Sequence, residues 1–222
     1  MGIYDREYIR RSQPGPGMPG GGGASGLRSM RMWSVNTWLI VICVLVATAL
    51  LRSRGRRWSE AGMARPTSWL RVFLGALATF AVIVAASLLL RGISLFLGLG
   101  EPRFDRLLVV REDWRVLVVF LFPLSWGTAA FGEEMLTRGF MLHRLAEALG
   151  STRVAWALGI AAQAFLFGLA HSWQGVVGVF NVTVLGVVFG VACYLARGNL
   201  WPCILAHGSM DFVTILAIAN SS

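Results

Sequence analysis

The sequence predicts an all-α polytopic membrane protein with about six transmembrane helices. Of its 222 residues, 56% are hydrophobic and 14% are charged, and the mean hydropathy is +0.65, which is unlike a soluble globular domain. The apolar residues fall into separate runs, each close to the ~20 residues that a helix needs to cross a bilayer. Arginines gather between the runs, as they do in the loops of membrane proteins.

The N-terminal arm, residues 1–32, differs in composition from the rest of the chain. It contains Pro14, Pro16, Pro19 and the glycine run 20–23, and such a segment cannot bury enough apolar surface to order itself. We therefore predict a disordered arm at 1–32 and one membrane domain at 33–222.

The apolar runs define the expected spans. We expect transmembrane helices at about 33–51, 69–90, 114–149, 154–170, 176–196 and 201–219. The third is longer than one crossing needs, so residues in its middle can lie within the bilayer. The charged connection from Arg91 to Arg115 predicts a loop with a short interfacial helix. In the fifth span, Gly178, Asn181 and Thr183 suggest an irregular helix.

The net charge of +9 is concentrated in loops. The densest basic loop contains Arg52, Arg54, Arg56, Arg57 and Arg65, which predicts a cytoplasmic position and contact with anionic lipid headgroups. We expect membrane lipids as partners and no nucleic acid. Three cysteines, Cys43, Cys193 and Cys203, lie in apolar runs without CxxC spacing, so we expect neither disulfides nor metal sites from them.

The acid pair Glu133-Glu134 lies inside the third span, where a buried charge costs at least a few kcal/mol. Glu134 and Arg138 are four residues apart, so on an α-helix they share a face and can pair. Glu133 is turned about 100° away. We therefore expect Arg138 to neutralise Glu134 and to leave Glu133 free to act on a substrate or water, although a plain buried ion pair would give the same spacing.

Three further polar groups occur downstream. Counted from the turn at Ser151, Glu133 and His171 lie at similar distances along antiparallel helices, about 27 to 30 Å at ~1.5 Å per residue, so we expect them at matching depth. His207 and Asp211 are four residues apart on the last span and should emerge from one face. The same calculation places His207 at a different depth in the membrane from His171, and a shortened or irregular fifth helix would bring the two histidines to one depth.

These groups fit two chemistries that the sequence does not separate. In the first, Glu133 is the general base for water, His171 shares that water, and His207 and Asp211 stabilise an oxyanion. In the second, Glu133, His171, His207 and Asp211 hold Zn²⁺ with an open water position. Otherwise we expect no cofactor.

The motifs Glu133-Glu134-x-x-x-Arg138, Phe167-x-x-x-His171 and His207-x-x-x-Asp211, in this order and in separate spans, resemble the CAAX protease and bacteriocin-processing (CPBP, or Abi) family, which includes CAAX prenyl protease 2-like proteins. The resemblance covers roughly 123–217. It implies an all-helical intramembrane endopeptidase with a four-helix catalytic core at about 115–219.

The resemblance also implies roles for single residues. Glu133 and His171 would activate water, His207 and Asp211 would support the oxyanion, and Arg138, with Glu134, would be structural. Many members carry Asn at the position of Asp211, and a carboxyl group donates to an oxyanion only when protonated. The resemblance therefore leaves orientation of His207, or metal ligation, as alternatives for Asp211.

Function is accordingly predicted as intramembrane endopeptidase activity on a peptide bond near the membrane surface. The alternatives are a proton-coupled transporter, since buried Glu and His also relay protons, and a non-catalytic immunity or scaffold protein. All basic side chains are Arg, which together with the glycine-rich arm favours a bacterial inner membrane protein. The substrate, the cleavage site and the oligomeric state do not follow from the sequence.

Overall fold

The computed structural model describes residues 22–221, and the regular structure within that range is entirely helical. Six helices are long and apolar enough to cross a membrane, which confirms the predicted fold class. They are α1 (Gly22–Ser53), α2 (Trp69–Phe96), α3 (Trp114–Ala148), α4 (Arg153–Ala170), α5 (Gly175–Leu195) and α6 (Trp201–Asn220).

Helix α1 begins at Gly22, earlier than the boundary that we placed at Trp33. It therefore includes residues 22–32 of the arm that we expected to be disordered. The remainder of that arm, residues 1–21, lies outside the described part of the chain.

Short 3₁₀-helices connect the spans. Trp58–Ala61 lies in the basic loop, and Gly62 ends it with a φ of 92°, a conformation that favours glycine. Asp105–Arg111 precedes α3, in the connection where we predicted a short helix. Ser172–Gln174 joins α4 to α5 directly, so these two helices form an antiparallel hairpin.

Helix α3 is irregular, although the sequence predicted an ordinary α-helix. Its backbone adopts π-helical hydrogen bonding over Phe120–Glu133 and Met135–Leu142. The Ser125 hydroxyl donates to the carbonyl oxygen of Phe120, five residues back, at 2.6 Å. Pro123 within the segment has no N–H to offer the backbone ladder. Wide helical turns of this kind are frequent at functional sites, and here Glu133 ends the first segment and Glu134 lies between the two.

Helix α5 is continuous, so the irregularity expected there is absent. It packs closely on α4 because small residues face each other. A Cβ at Gly186 would lie 3.0 Å from the Ala164 backbone, and one at Gly168 would lie 1.9 Å from the Thr183 hydroxyl oxygen. Helix α6 packs against α2 and α3. Helices α3 to α6 thus surround the polar residues in the middle of the protein.

Candidate active site

The polar centre is built on an ion pair within α3. Arg138 Nη1 donates to Glu134 Oε1 at 2.9 Å, and neither residue is exposed. Both charges are out of water, so each depends on the other and on nearby hydrogen bonds. This is the pairing that the four-residue spacing predicted.

The Arg138 guanidinium reaches beyond its own helix. Its Nη2 donates to the carbonyl oxygen of Gly186 on α5 at 3.4 Å. The aromatic rings of Phe167 and Phe189 lie 4.4 and 4.9 Å from its Cζ, within the range of cation–π attraction. Arg138 therefore joins α3 to α4 and α5.

His207 on α6 completes this buried group. Its Nδ1 lies 2.9 Å from Glu134 Oε1, the oxygen that also accepts from Arg138. A carboxylate only accepts, so Nδ1 carries the hydrogen and donates it. His207 is 7% exposed. The sequence did not predict this contact, because the two residues belong to different helices.

Glu133 has different surroundings from its neighbour Glu134. It lines a cavity of about 640 Å³ between α1, α3 and α4, together with His171 and Thr137. Its Oε2 is buried without a hydrogen-bond partner among the described residues. Glu133 thus borders an open volume while Glu134 is enclosed by protein, as the sequence predicted for the pair.

His171 is the residue that caps α4 at its C-terminus. Its Nδ1 lies 2.9 Å from the carbonyl oxygen of Phe167, which can only accept, so Nδ1 carries the hydrogen. Nε2 is then the ring nitrogen that can take a proton. Since His171 and Glu133 line the same cavity, a water molecule bound there has a carboxylate and a basic imidazole nitrogen in its walls.

Asp211 lies one helical turn after His207. Its Oδ2 is 3.7 Å from His207 Nε2, which is beyond hydrogen-bond distance but within reach of an ion pair when the imidazole is charged. Neither residue is among those that line the cavity. The predicted site therefore has two layers: Glu133 and His171 at the cavity, and His207 with Asp211 behind it.

The arrangement does not fit the zinc hypothesis. Within residues 22–221, no three His, Cys, Asp or Glu side chains are grouped so that they could hold a metal ion. His207 is directed to Glu134, and its other nitrogen is 3.7 Å from Asp211. A zinc ion needs several nitrogen or oxygen ligands at about 2 Å.

Two residues that the sequence analysis missed contribute to the site. Gln163 on α4 donates through Nε2 to the Gly186 carbonyl oxygen at 2.9 Å, the same oxygen that Arg138 contacts. Thr137 accepts a hydrogen bond from Arg138 Nη1 at 2.9 Å. The position of Gln163 in an apolar span could have indicated its role, because a buried amide group needs a hydrogen-bond partner within the protein.

Comparison with known proteins connects this geometry to a family. Residues 114–213 match the family model described as type II CAAX prenyl endopeptidase Rce1-like. The match begins at the first residue of α3 and ends in α6, so it contains each polar residue discussed above. No curated protein and no solved structure matched the chain. Together with the six apolar helices, the match supports an integral membrane protein of intramembrane protease type.

Proposed function

We propose that this chain, whose residues 114–213 match the Rce1-like family model, is an intramembrane endopeptidase in which Glu133 activates the attacking water. The observation that carries the proposal is the cavity of about 640 Å³ that Glu133 and His171 line together. A protease of this kind needs a base, a water and room for a peptide in one place.

In the proposed reaction, Glu133 removes a proton from a water molecule that His171 Nε2 helps to hold. The resulting hydroxide attacks the peptide carbonyl carbon and gives a tetrahedral oxyanion. The C–N bond then breaks, and the proton held by Glu133 passes to the leaving amine. The products are a carboxylic acid and an amine, and the carboxylate of Glu133 is restored.

His207 and Asp211 are proposed to act on the oxyanion from behind the cavity wall. His207 Nδ1 is engaged by Glu134, so Nε2 is the remaining nitrogen, and it donates to a developing negative charge when the imidazole is doubly protonated. At 7% exposure the imidazole is covered. A substrate carbonyl therefore reaches it only if the cavity deepens when the peptide binds.

The substrate is proposed to be a peptide segment presented at the membrane surface. The matched family model is described as a type II CAAX prenyl endopeptidase. The basic residues are all Arg and the N-terminal arm is rich in glycine, which favours a location in a bacterial inner membrane. We therefore propose a substrate peptide without a prenyl group.

The proposal is tested by comparing membrane peptides from cells that produce the parent or Glu133→Gln, followed by cleavage of the candidate peptide by purified protein. Glu133→Gln keeps the shape of the side chain but cannot accept the water proton, so cleavage should fall at least about 100-fold. Glu147→Gln, in the exposed last turn of α3, is the matched control and should cleave normally.

The alternatives give different results in the same preparations. A Glu133→Gln variant as active as the parent would remove the proposed mechanism. Substrate-driven proton flux into proteoliposomes without peptide cleavage would identify a transporter. Neither activity in the folded parent protein would indicate an immunity or scaffold protein.

A further inference from the structure

A second cavity, of about 400 Å³, lies at the end of α1 that carries the basic loop. We call it the basic cavity. Its walls are formed by the last turns of α1 and the loop that follows: Thr48, Leu51, Arg52, Gly55, Arg56, Arg57 and Trp58. It contains three arginines and no acidic residue, and its volume is typical of a small-ligand site.

Two of these arginines are free for a ligand, whereas the third is already engaged. Arg56 donates to Glu60 at 2.9 Å and lies 3.7 Å from Glu147. Its hydrogen bond holds the pKa of the Glu60 carboxyl below the usual value. Arg52 and Arg57 form no ion pair with any described carboxylate. Both side chains are exposed, so the basic cavity offers two guanidinium groups to an anion.

The basic cavity lies where lipid phosphates are found. Thr48, Leu51 and Arg52 belong to the last turns of the candidate span Val35–Ser53. Val41 and Leu45, which lie on the same face of α1 as Thr48 and Arg52, are 40% and 62% exposed, as expected for side chains that face lipid tails. A ligand with an anionic head and apolar tails therefore meets arginines at one end and an apolar helix face at the other.

The walls of the basic cavity are fixed rather than loose. The Trp58 indole N–H donates to the Thr48 hydroxyl at 2.9 Å and holds the loop against α1. A Cβ at Gly139 on α3 would lie 3.4 Å from the Trp58 ring and 3.0 Å from the Ala61 carbonyl oxygen, so the loop also packs closely on α3. Gly139 directly follows Arg138, which places this cavity wall beside the segment that carries the buried ion pair.

We infer that the basic cavity binds the headgroup of one anionic phospholipid, with Arg52 and Arg57 contacting the phosphate and the acyl chains lying along Val41 and Leu45. Arginine suits this role because its guanidinium donates to phosphate oxygens in a paired geometry. The site is distinct from the proposed active site: on α1, Thr48 of the basic cavity lies eight residues, or about 12 Å, beyond Ile40, which lines the cavity of Glu133. The inference does not depend on the proposed activity.

The test measures lipid binding to the full-length protein in a neutral detergent by native mass spectrometry. The titrants are phosphatidylglycerol, which is anionic, and phosphatidylcholine with the same acyl chains, which is zwitterionic. We expect tight binding of one phosphatidylglycerol and weak binding of phosphatidylcholine. The double variant Arg52→Gln/Arg57→Gln should lose about twentyfold in affinity for phosphatidylglycerol, and each single variant about fivefold.

The matched control is Arg65→Gln/Arg71→Gln, which removes two exposed arginines near the same membrane edge but outside the basic cavity. It should keep its affinity within about threefold. Equal losses in both double variants would show a general charge effect and would overturn the inference, as would equal binding of the two lipids.

Two further measurements distinguish a loss of lipid binding from misfolding, and a lipid ligand from a free phosphate compound. The melting temperature of each variant without lipid shows whether the variant folds. If the double variant does not fold, the affinities of the two single variants test the inference. Glycerol 3-phosphate, which has the phosphate but no acyl chains, should not displace phosphatidylglycerol at millimolar concentration. Full displacement would overturn the assignment to a lipid.

Discussion

His207 Nδ1 lies 2.9 Å from Glu134 Oε1, and this single contact joins the last helix of the protein to the acid pair. Arg138 donates to the same oxygen at 2.9 Å. Glu134 therefore connects α3 to α6 through its contacts with Arg138 and His207, whereas Glu133 lines a cavity. This difference in surroundings separates the two roles.

Glu134→Gln should destabilise the fold strongly. The substitution leaves the Arg138 charge buried without its counter-ion, and breaking a buried pair in this way costs about 3 to 5 kcal/mol. The free energy of unfolding, measured by titration with a denaturing detergent, checks this value.

The control for this prediction is Arg91→Gln, which removes an exposed ion pair with Glu101 whose side chains are 64% and 27% exposed. Such a pair contributes at most about 1 kcal/mol. If Glu134→Gln lost no more stability than Arg91→Gln, the ion pair would not hold the site together.

The sequence predicted the fold well because its main signals are local. Run length and hydropathy define the six spans, and the spacing of Glu134 and Arg138 defines a pair within one helix. The separation of Glu133 from that pair followed from the same spacing. None of these inferences needs knowledge of how helices pack.

The contacts between helices could not be predicted in the same way. The link from His207 to Glu134 depends on the packing of α6 on α3, and the shared carbonyl of Gly186 depends on the α4–α5 hairpin. The irregular helix was expected in α5 but occurs in α3, because glycine and Asn181 alone do not break a well-packed helix. The early start of α1 was missed because its glycine-rich first turns resemble a flexible arm.

Gly168→Ala should destabilise the α4–α5 hairpin. Its new methyl group would lie 1.9 Å from the Thr183 hydroxyl oxygen and 2.7 Å from the Val179 carbonyl oxygen, so the helices must move apart. Such overpacking costs about 1 to 3 kcal/mol.

The matched control is Gly92→Ala in α2, where a Cβ would meet nothing within 4 Å. Alanine is the better helix former, so this variant should be slightly more stable than the parent. The two melting temperatures should move in opposite directions. A Gly168→Ala protein as stable as the parent would show that the hairpin packs less tightly than described.

Asp211→Asn should retain peptide cleavage, whereas Asp211→Ala should lose at least about tenfold. Asparagine preserves the size of the side chain and supplies an N–H donor to the oxyanion without first gaining a proton. The comparison is made with kcat/KM at saturating lipid. Loss of activity in both variants would indicate that the negative charge of Asp211 is itself required.

Removal of divalent metal ions should leave cleavage unchanged. The His, Asp and Glu side chains within the described range are not grouped as a metal ligand set, and Glu134 is engaged by Arg138 and His207. Activity is measured after treatment with a chelator, together with the metal content of the protein. Loss of cleavage that Zn²⁺ alone restores would contradict this prediction and revive the zinc hypothesis.

The central claim, that Glu133 and His171 act on one water molecule in one cavity, is tested most directly by kcat/KM for Glu133→Gln, His171→Ala and the double variant. Residues that act as a unit are not additive. We predict that each single variant loses nearly all activity and that the double variant is no worse than either. Normal cleavage by Glu133→Gln, or losses that multiply in the double variant, would contradict the account.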